Sequence, residues 1–199
     1  MVDLLRRSHA PVTDEAWGEI DELAQRILKS QISARSVVEI DGPHGWGLAG
    51  VNLGRLEVAE KPAPDDVPWG LRNVLPLVEV RIPFTLNQME LDMISRGSRD
   101  PDLRSLEEVA IKAGRFEDSA VYRGLPAARI QGMLELPNRK TVPLPGDPSG
   151  YPKAVAAGLE TFRSGGIPGP HVLVLGTGPF LELMQRGERG YPPHRIIRE

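Results

Sequence analysis

Proton transfer, nucleophilic attack and metal binding all need particular side chains held close together, so those residues are weighed first. The four histidines, His9, His44, His171 and His194, are scattered along the chain. His44 sits in a glycine-rich run, residues 41–50, with no further ligand at the spacing a metal site requires. Glu107, Glu108, Glu117 and Asp118 resemble paired catalytic carboxylates, but nothing supplies a second element or a perturbing environment. A solvated helix face accounts for them. Gly176, Thr177 and Gly178 follow the apolar run HVLVL and hint at a phosphate-cradling loop; three residues fit a strand-to-helix turn equally simply. No G-x-S-x-G, Walker A, H-E-x-x-H or G-x-G-x-x-G motif occurs. Catalysis has no constellation to rest on, and the chain is not expected to be an enzyme.

The elements that would have to position any site are modest. Thr13 reads as an N-cap, with Asp14 and Glu15 in the positive first turn. Trp17, Ile20, Leu23, Ala24, Ile27 and Leu28 then recur at helical spacing. Such a stripe packs on a core, and can also line a groove for a partner peptide. Residues 36–40, SVVEI, carry a strand signal, and residues 51–59 alternate well enough for a second strand. Residues 69–92, WGLRNVLPLVEVRIPFTLNQMELD, predict a strand that turns into a helix over residues 86–96. Val74, Val78, Val80, Ile82 and Phe84 would share one face of it. Pro76 and Pro83 lack an N–H and suit an edge. Ser105 with Glu108 forms a capping box that opens a long helix ending at Gly124. Residues 130–136 and 140–144 suggest a small hairpin. Residues 153–164 suggest a helix, 171–175 a buried strand and 179–185 a last helix.

Composition sets outer limits. The 199 residues suit one domain or two small ones, and 40% hydrophobic content suffices for a mostly aliphatic core. Gly 21 and Pro 19 make up about a fifth of the chain, which points to arms and loops hung on limited regular structure. A net charge of -3 gives no attraction to nucleic acid. Without cysteine there is no disulfide framework, thiolate metal site or thiol nucleophile. No apolar run reaches membrane-spanning length and no charged-then-apolar leader opens the chain, so a cytoplasmic protein is expected. Residues 42–69 have strand character, a break with three prolines over 61–68, and no partner helix. A long loop within a compact domain is improbable. An extended two-stranded arm that finds its hydrogen-bonding and apolar partners on a neighbouring copy resolves this.

Several blocks carry a resemblance: LLRRSHAPVTDEAWGEID, SARSVVEIDGPHGWGLAGVNLG, VPWGLRNVLPLVEVRIPFTLNQMELD, SLEEVAIKAGRFEDSAVYRG, IQGML and IPGPHVLVL. In order and spacing they resemble type 1 encapsulin shell proteins, also labelled linocin-type bacteriocins. The resemblance implies an α+β fold like that of tailed-phage major capsid proteins. It implies self-assembly into an icosahedral nanocompartment enclosing a cargo enzyme, such as a ferritin-like protein or a dye-decolorising peroxidase, that carries a targeting peptide. Residues 1–41 then correspond to an N-terminal arm and helix, 42–69 to the extended loop, 70–135 to the peripheral domain and 136–199 to the axial domain. Ile20, Leu23, Ile27, Arg35 and Glu39 are the expected cargo-peptide groove. Arg186, Gly187, Glu188, Arg189, Gly190 and Tyr191 are the expected five-fold pore loop. Family members continue past the match to Glu199 with strands that return to the peripheral domain, which this chain is expected to lack. Some members bind flavin through an aromatic residue at the position of Met89; methionine cannot stack in that way, so no cofactor is expected. A prophage capsid protein packaging DNA, or a peptidase, are the alternative readings.

Overall fold

The computed structural model describes residues 5–60, 66–137 and 140–185. Two compact units divide the chain, Met1–Leu136 and Pro137–Glu199. Helices and short sheets both occur, an α+β composition.

In the first unit, α1 spans Asp14–Gln31. The Thr13 Oγ1 accepts from the Ala16 N–H at 3.3 Å, so the predicted cap forms. Helix α2 spans Gln88–Ser95, capped by the Asn87 side chain, and α3 spans Arg104–Arg123. The core is built where these three meet: Ala16, Ile20 and Leu23 from α1, Leu91 from α2, and Leu103 and Leu106 at the start of α3. Trp17, Ala24, Ile27, Ile94 and Val109 pack around it, half-buried. Gly114 marks the closest α1–α3 approach, because a Cβ there would stand 2.7 Å from the Gln31 Cβ. A hydrogen bond of 2.6 Å between the Thr13 and Ser95 hydroxyls ties the start of α1 to the end of α2.

Between α1 and α2 the chain forms a hairpin that runs across the expected boundary at residue 69. Strands β1 (Gly50–Val58) and β2 (Gly70–Pro76) pair antiparallel, from Gly50 opposite Pro76 to Val58 opposite Gly70. The register shifts between Asn52 and Leu56, where Gly54 takes a φ of +69° and its N–H bonds the Asn52 side chain. That left-handed position suits glycine in a bulge. Asn52, Leu56, Val58 and Val74 fall on one face, and Val51, Leu71 and Leu75 on the other. Each face mixes apolar side chains, exposed from 39% at Leu75 to 65% at Val58, with polar ones, Asn52 and Arg72 on the first and Glu57 and Asn73 on the second.

Several expectations are corrected here. The strand predicted through residues 74–84 stops at Pro76, and Val78, Val80 and Phe84 stand exposed beyond it without a ladder. Residues 36–40 form no strand. Instead a single 3₁₀ turn, Ala34–Ser36, is followed by Val37 and Val38 N–H groups that both bond the Ala34 carbonyl. Helix α3 begins before Ser105, with Leu103 at its N-cap, and the Asp102 carboxylate accepts from the Arg104 N–H. The hairpin predicted over residues 130–144 is replaced by two-residue strands β3 (Gly124–Leu125) and β4 (Ile130–Gln131). Gly132 then passes so close to the end of α3 that a Cβ would fall 2.2 Å from the Arg123 carbonyl carbon.

In the second unit, α4 spans Tyr151–Ser164 and α5 spans Thr177–Gln185. Tyr151 and Leu183 are its buried anchors. The HVLVL run forms no strand and leaves Val172 63% exposed. A β-branched run supplies the propensity, but a strand also needs a ladder partner, and none pairs with it among the described residues.

Candidate functional site

The residues expected to line a groove on α1 separate into two groups. Ile20 and Leu23 are buried in the core of the first unit and are not available to a ligand. Ile27 is half-buried and packs on the same core. Arg35 and Glu39 are exposed on and after the 3₁₀ turn that follows α1. What the fold does form there is an open hollow of about 400 Å³, lined by Gln25, Leu28, Lys29, Ile32, Arg35 and Ser36. Leu28 belongs to the helical stripe read from sequence. Ile32 is the residue that ends α1, its N–H bonding the Leu28 carbonyl. Of the five expected groove residues, only Arg35 lines this hollow.

Carboxylates on α3 fix the far wall of the hollow. Asp118 accepts three hydrogen bonds from one turn: from the Ser33 N–H at 3.1 Å, the Ser33 hydroxyl at 2.7 Å and the Ala34 N–H at 2.9 Å. The Tyr122 hydroxyl lies 3.1 Å from the Ser33 Oγ. Glu117 holds Arg35 through two contacts, 2.5 Å to Nε and 2.8 Å to Nη2. The hydrogen bond and charge of Glu117 raise the Arg35 pKa above its ordinary value, against a smaller opposing effect of burial. Glu117 and Asp118 are therefore neither a catalytic pair nor an idle solvated face. Sequence patterns missed them because the donors lie more than 80 residues away, at Ser33, Ala34 and Arg35.

The other candidates for chemistry fare no better. His44 Nε2 lies 3.0 Å from Asp41 Oδ1, a carboxylate that the spacing argument passed over, in a mostly exposed pair. Among the described residues no group of three His or acidic side chains is placed to hold a metal. Gly176, Thr177 and Gly178 form the start of a nine-residue helix. The second unit has an open apolar cleft of about 820 Å³, walled by Leu144, Leu159, Phe162, Leu173, Phe180 and Met184 among others. His171 stacks on Phe162 at its margin, ring centroids 4.6 Å apart.

A family model described as an encapsulating protein for peroxidase matches residues 2–199. The chain is 34% identical over 194 residues to the type 1 encapsulin shell protein of Rhodococcus erythropolis, covering 98% of this chain and 73% of that one. It is 37% identical over 200 residues to the type 1 encapsulin shell protein of Rhodospirillum rubrum, covering 98% and 71%. The corresponding protein of Mycobacterium tuberculosis is 36% identical over 188 residues, covering 94% and 71%. The chain belongs to the encapsulin shell-protein family.

The residues expected to form a pore loop, Arg186 to Tyr191, lie outside the described residues, as do 61–65 of the expected extended loop and 1–4 of the expected N-terminal arm. Met89 is 65% exposed in the first turn of α2, its N–H bonded to the Asn87 cap. At the start of the chain, Arg7 reaches Asp21 through two hydrogen bonds of 2.8 and 2.7 Å, and its guanidinium lies 4.6 Å over the Trp17 ring. The hydrogen bond from Arg7 holds the Asp21 carboxyl below its usual range. In the same way Arg104 holds Asp102 down to about 2. No helix among the described residues is long and apolar enough to cross a membrane.

Proposed function

We propose that this chain is a shell subunit of an encapsulin nanocompartment: a phage-capsid-type α+β protein that assembles with copies of itself into an icosahedral cage around a cargo enzyme. The observation that carries the reading is the β1–β2 hairpin. A two-stranded sheet with apolar side chains on both faces has no core of its own. Each half-exposed Leu or Val would contribute roughly 1 kcal/mol if a neighbour covered it. The sum over such a hairpin is small for one contact and large for a closed symmetric object, where every subunit repeats it.

In this reading residues 1–41 are the N-terminal arm and helix, 42–69 the extended loop, 70–135 the peripheral domain and 136–199 the axial domain. Arg186 to Tyr191 line the pore at the five-fold axis. The cage lies in the cytoplasm, and its cargo is a ferritin-like protein or a dye-decolorising peroxidase. The cargo peptide lies in the hollow at the end of α1, against Leu28, Ile32 and Arg35, with Ile27 and Glu39 at its borders. Ile20 and Leu23 support the helix from beneath. Leu28 is a better probe of this groove than Ile27, because Ile27 packs on the core and its loss would also lower stability. Leu28→Lys removes one of the two apolar side chains of the lining and adds a charge beside Lys29 and Arg35. The expected result is an intact shell that no longer co-purifies with cargo; retained cargo would place the groove elsewhere.

A further inference from the structure

We infer that Asp118 and Glu117 are positioning residues of the hollow at the end of α1, and that Glu117 sets its charge selectivity by neutralising Arg35. The inference rests on the cargo reading above for its ligand but not for its geometry. Two of the six residues lining the hollow, Arg35 and Ser36, come from the turn after α1. That turn has little packing of its own: of its residues only Ala34 is buried, and Ser33, Arg35 and Ser36 are exposed. Its shape is imposed from α3. Three hydrogen bonds run from Ser33 and Ala34 into the single Asp118 carboxylate, and the next residue outward, Arg35, donates to both Glu117 oxygens along one edge of its guanidinium, from Nε and Nη2. Hydrogen bonds to a charged acceptor are the stronger kind, and two backbone N–H groups are among the donors. Removing the carboxylate leaves both without their partner, and the turn is free to leave the wall of the hollow.

The second consequence concerns the ligand. Arg35 and Lys29 are the two cations in the lining, and the charge of Arg35 is matched by Glu117. The pair therefore lowers the reward that the wall gives an acidic peptide segment relative to an apolar one. Replacing Glu117 by Gln keeps the shape of the partner and releases the positive charge.

Three proteins decide the matter: wild type, Asp118→Ala and Glu117→Gln, each as the assembled full chain. The first readout needs no ligand. Amide hydrogen exchange at Ser33 and Ala34 is expected to accelerate at least about tenfold in Asp118→Ala, while the amides of α1 from Ile20 to Leu28 stay protected. Unchanged exchange at Ser33 and Ala34, or equal loss of protection along all of α1, overturns the positioning role. The second readout uses two synthetic peptides: a ten-residue segment of Leu, Ile, Gly and Ser, and the same peptide with one Leu changed to Asp. Glu117→Gln is expected to shift the ratio of the two affinities by about fivefold toward the Asp peptide, an effect that mere loosening of the fold would not produce. An unchanged ratio overturns the selectivity role. If wild type binds neither peptide, the cargo reading of the hollow fails and the selectivity role with it, while the positioning role still stands or falls on the exchange data.

Discussion

At the residue scale the chain spends its polar chemistry on holding elements in place. Arg7, Trp17 and Asp21 form one such cluster, with the guanidinium on the indole face and on the carboxylate at once. Because the folded Asp21 pKa is depressed, its contribution to stability is present above the carboxyl's unfolded value near 4 and is lost as pH falls through the lower folded value. Both partners are more than a third exposed, so the contribution is ~1 kcal/mol or less. Asp21→Asn therefore removes part of the acid sensitivity. The variant is expected to be slightly less stable than wild type at pH 7 and to lose stability less steeply between pH ~5 and ~3, as followed by urea denaturation at stepped pH. Parallel curves for the two proteins would mean that the ion pair contributes nothing in solution.

At the element scale, two glycines in neighbouring helices make opposite predictions. Gly18 lies in α1 with nothing near the position of a Cβ, and Gly114 lies in α3 with the Gln31 Cβ at 2.7 Å. Gly18→Ala is expected to stabilise by up to about 1 kcal/mol through helix propensity alone. Gly114→Ala has the same propensity gain but must separate α1 from α3, an overpacking cost of about 1–3 kcal/mol, and is expected to lower the melting temperature. The pair separates propensity from packing by thermal denaturation, and a rise in both variants would refute the close crossing. Helices were the most legible part of this protein. The α1 stripe, its Thr13 cap and the extents of α2, α4 and α5 follow from periodicity and turn residues close in sequence. Strands were less so, because a ladder depends on a distant partner that propensity cannot name. HVLVL and SVVEI have the right residues and no ladder partner among the described residues, and SVVEI is preceded by a turn that Asp118 dictates from across the fold. The site was half legible for the same reason. The stripe pointed to α1, but which of its residues face the core and which the hollow is decided by α2 and α3.

At the scale of the whole molecule, the family membership and the uncovered hairpin make one claim together: this subunit is completed by copies of itself. Exposed Leu and Val side chains stand on both faces of the hairpin, so both are expected to be covered. Leu56→Lys, set opposite Arg72 on one face, and Leu75→Asp, set opposite Val51 on the other, should each abolish assembly, because either places an unpaired charge where a Leu would be covered. Neither side chain touches the helical core, so circular dichroism should retain the helix signal of the dispersed subunit. A variant that still assembles would show that its face of the hairpin remains open to solvent. The most direct measurement is the mass of the protein purified from its native host, by sedimentation with electron microscopy of the same fraction. The account predicts closed, uniform shells of many subunits; a homogeneous monomer at micromolar concentration would contradict it.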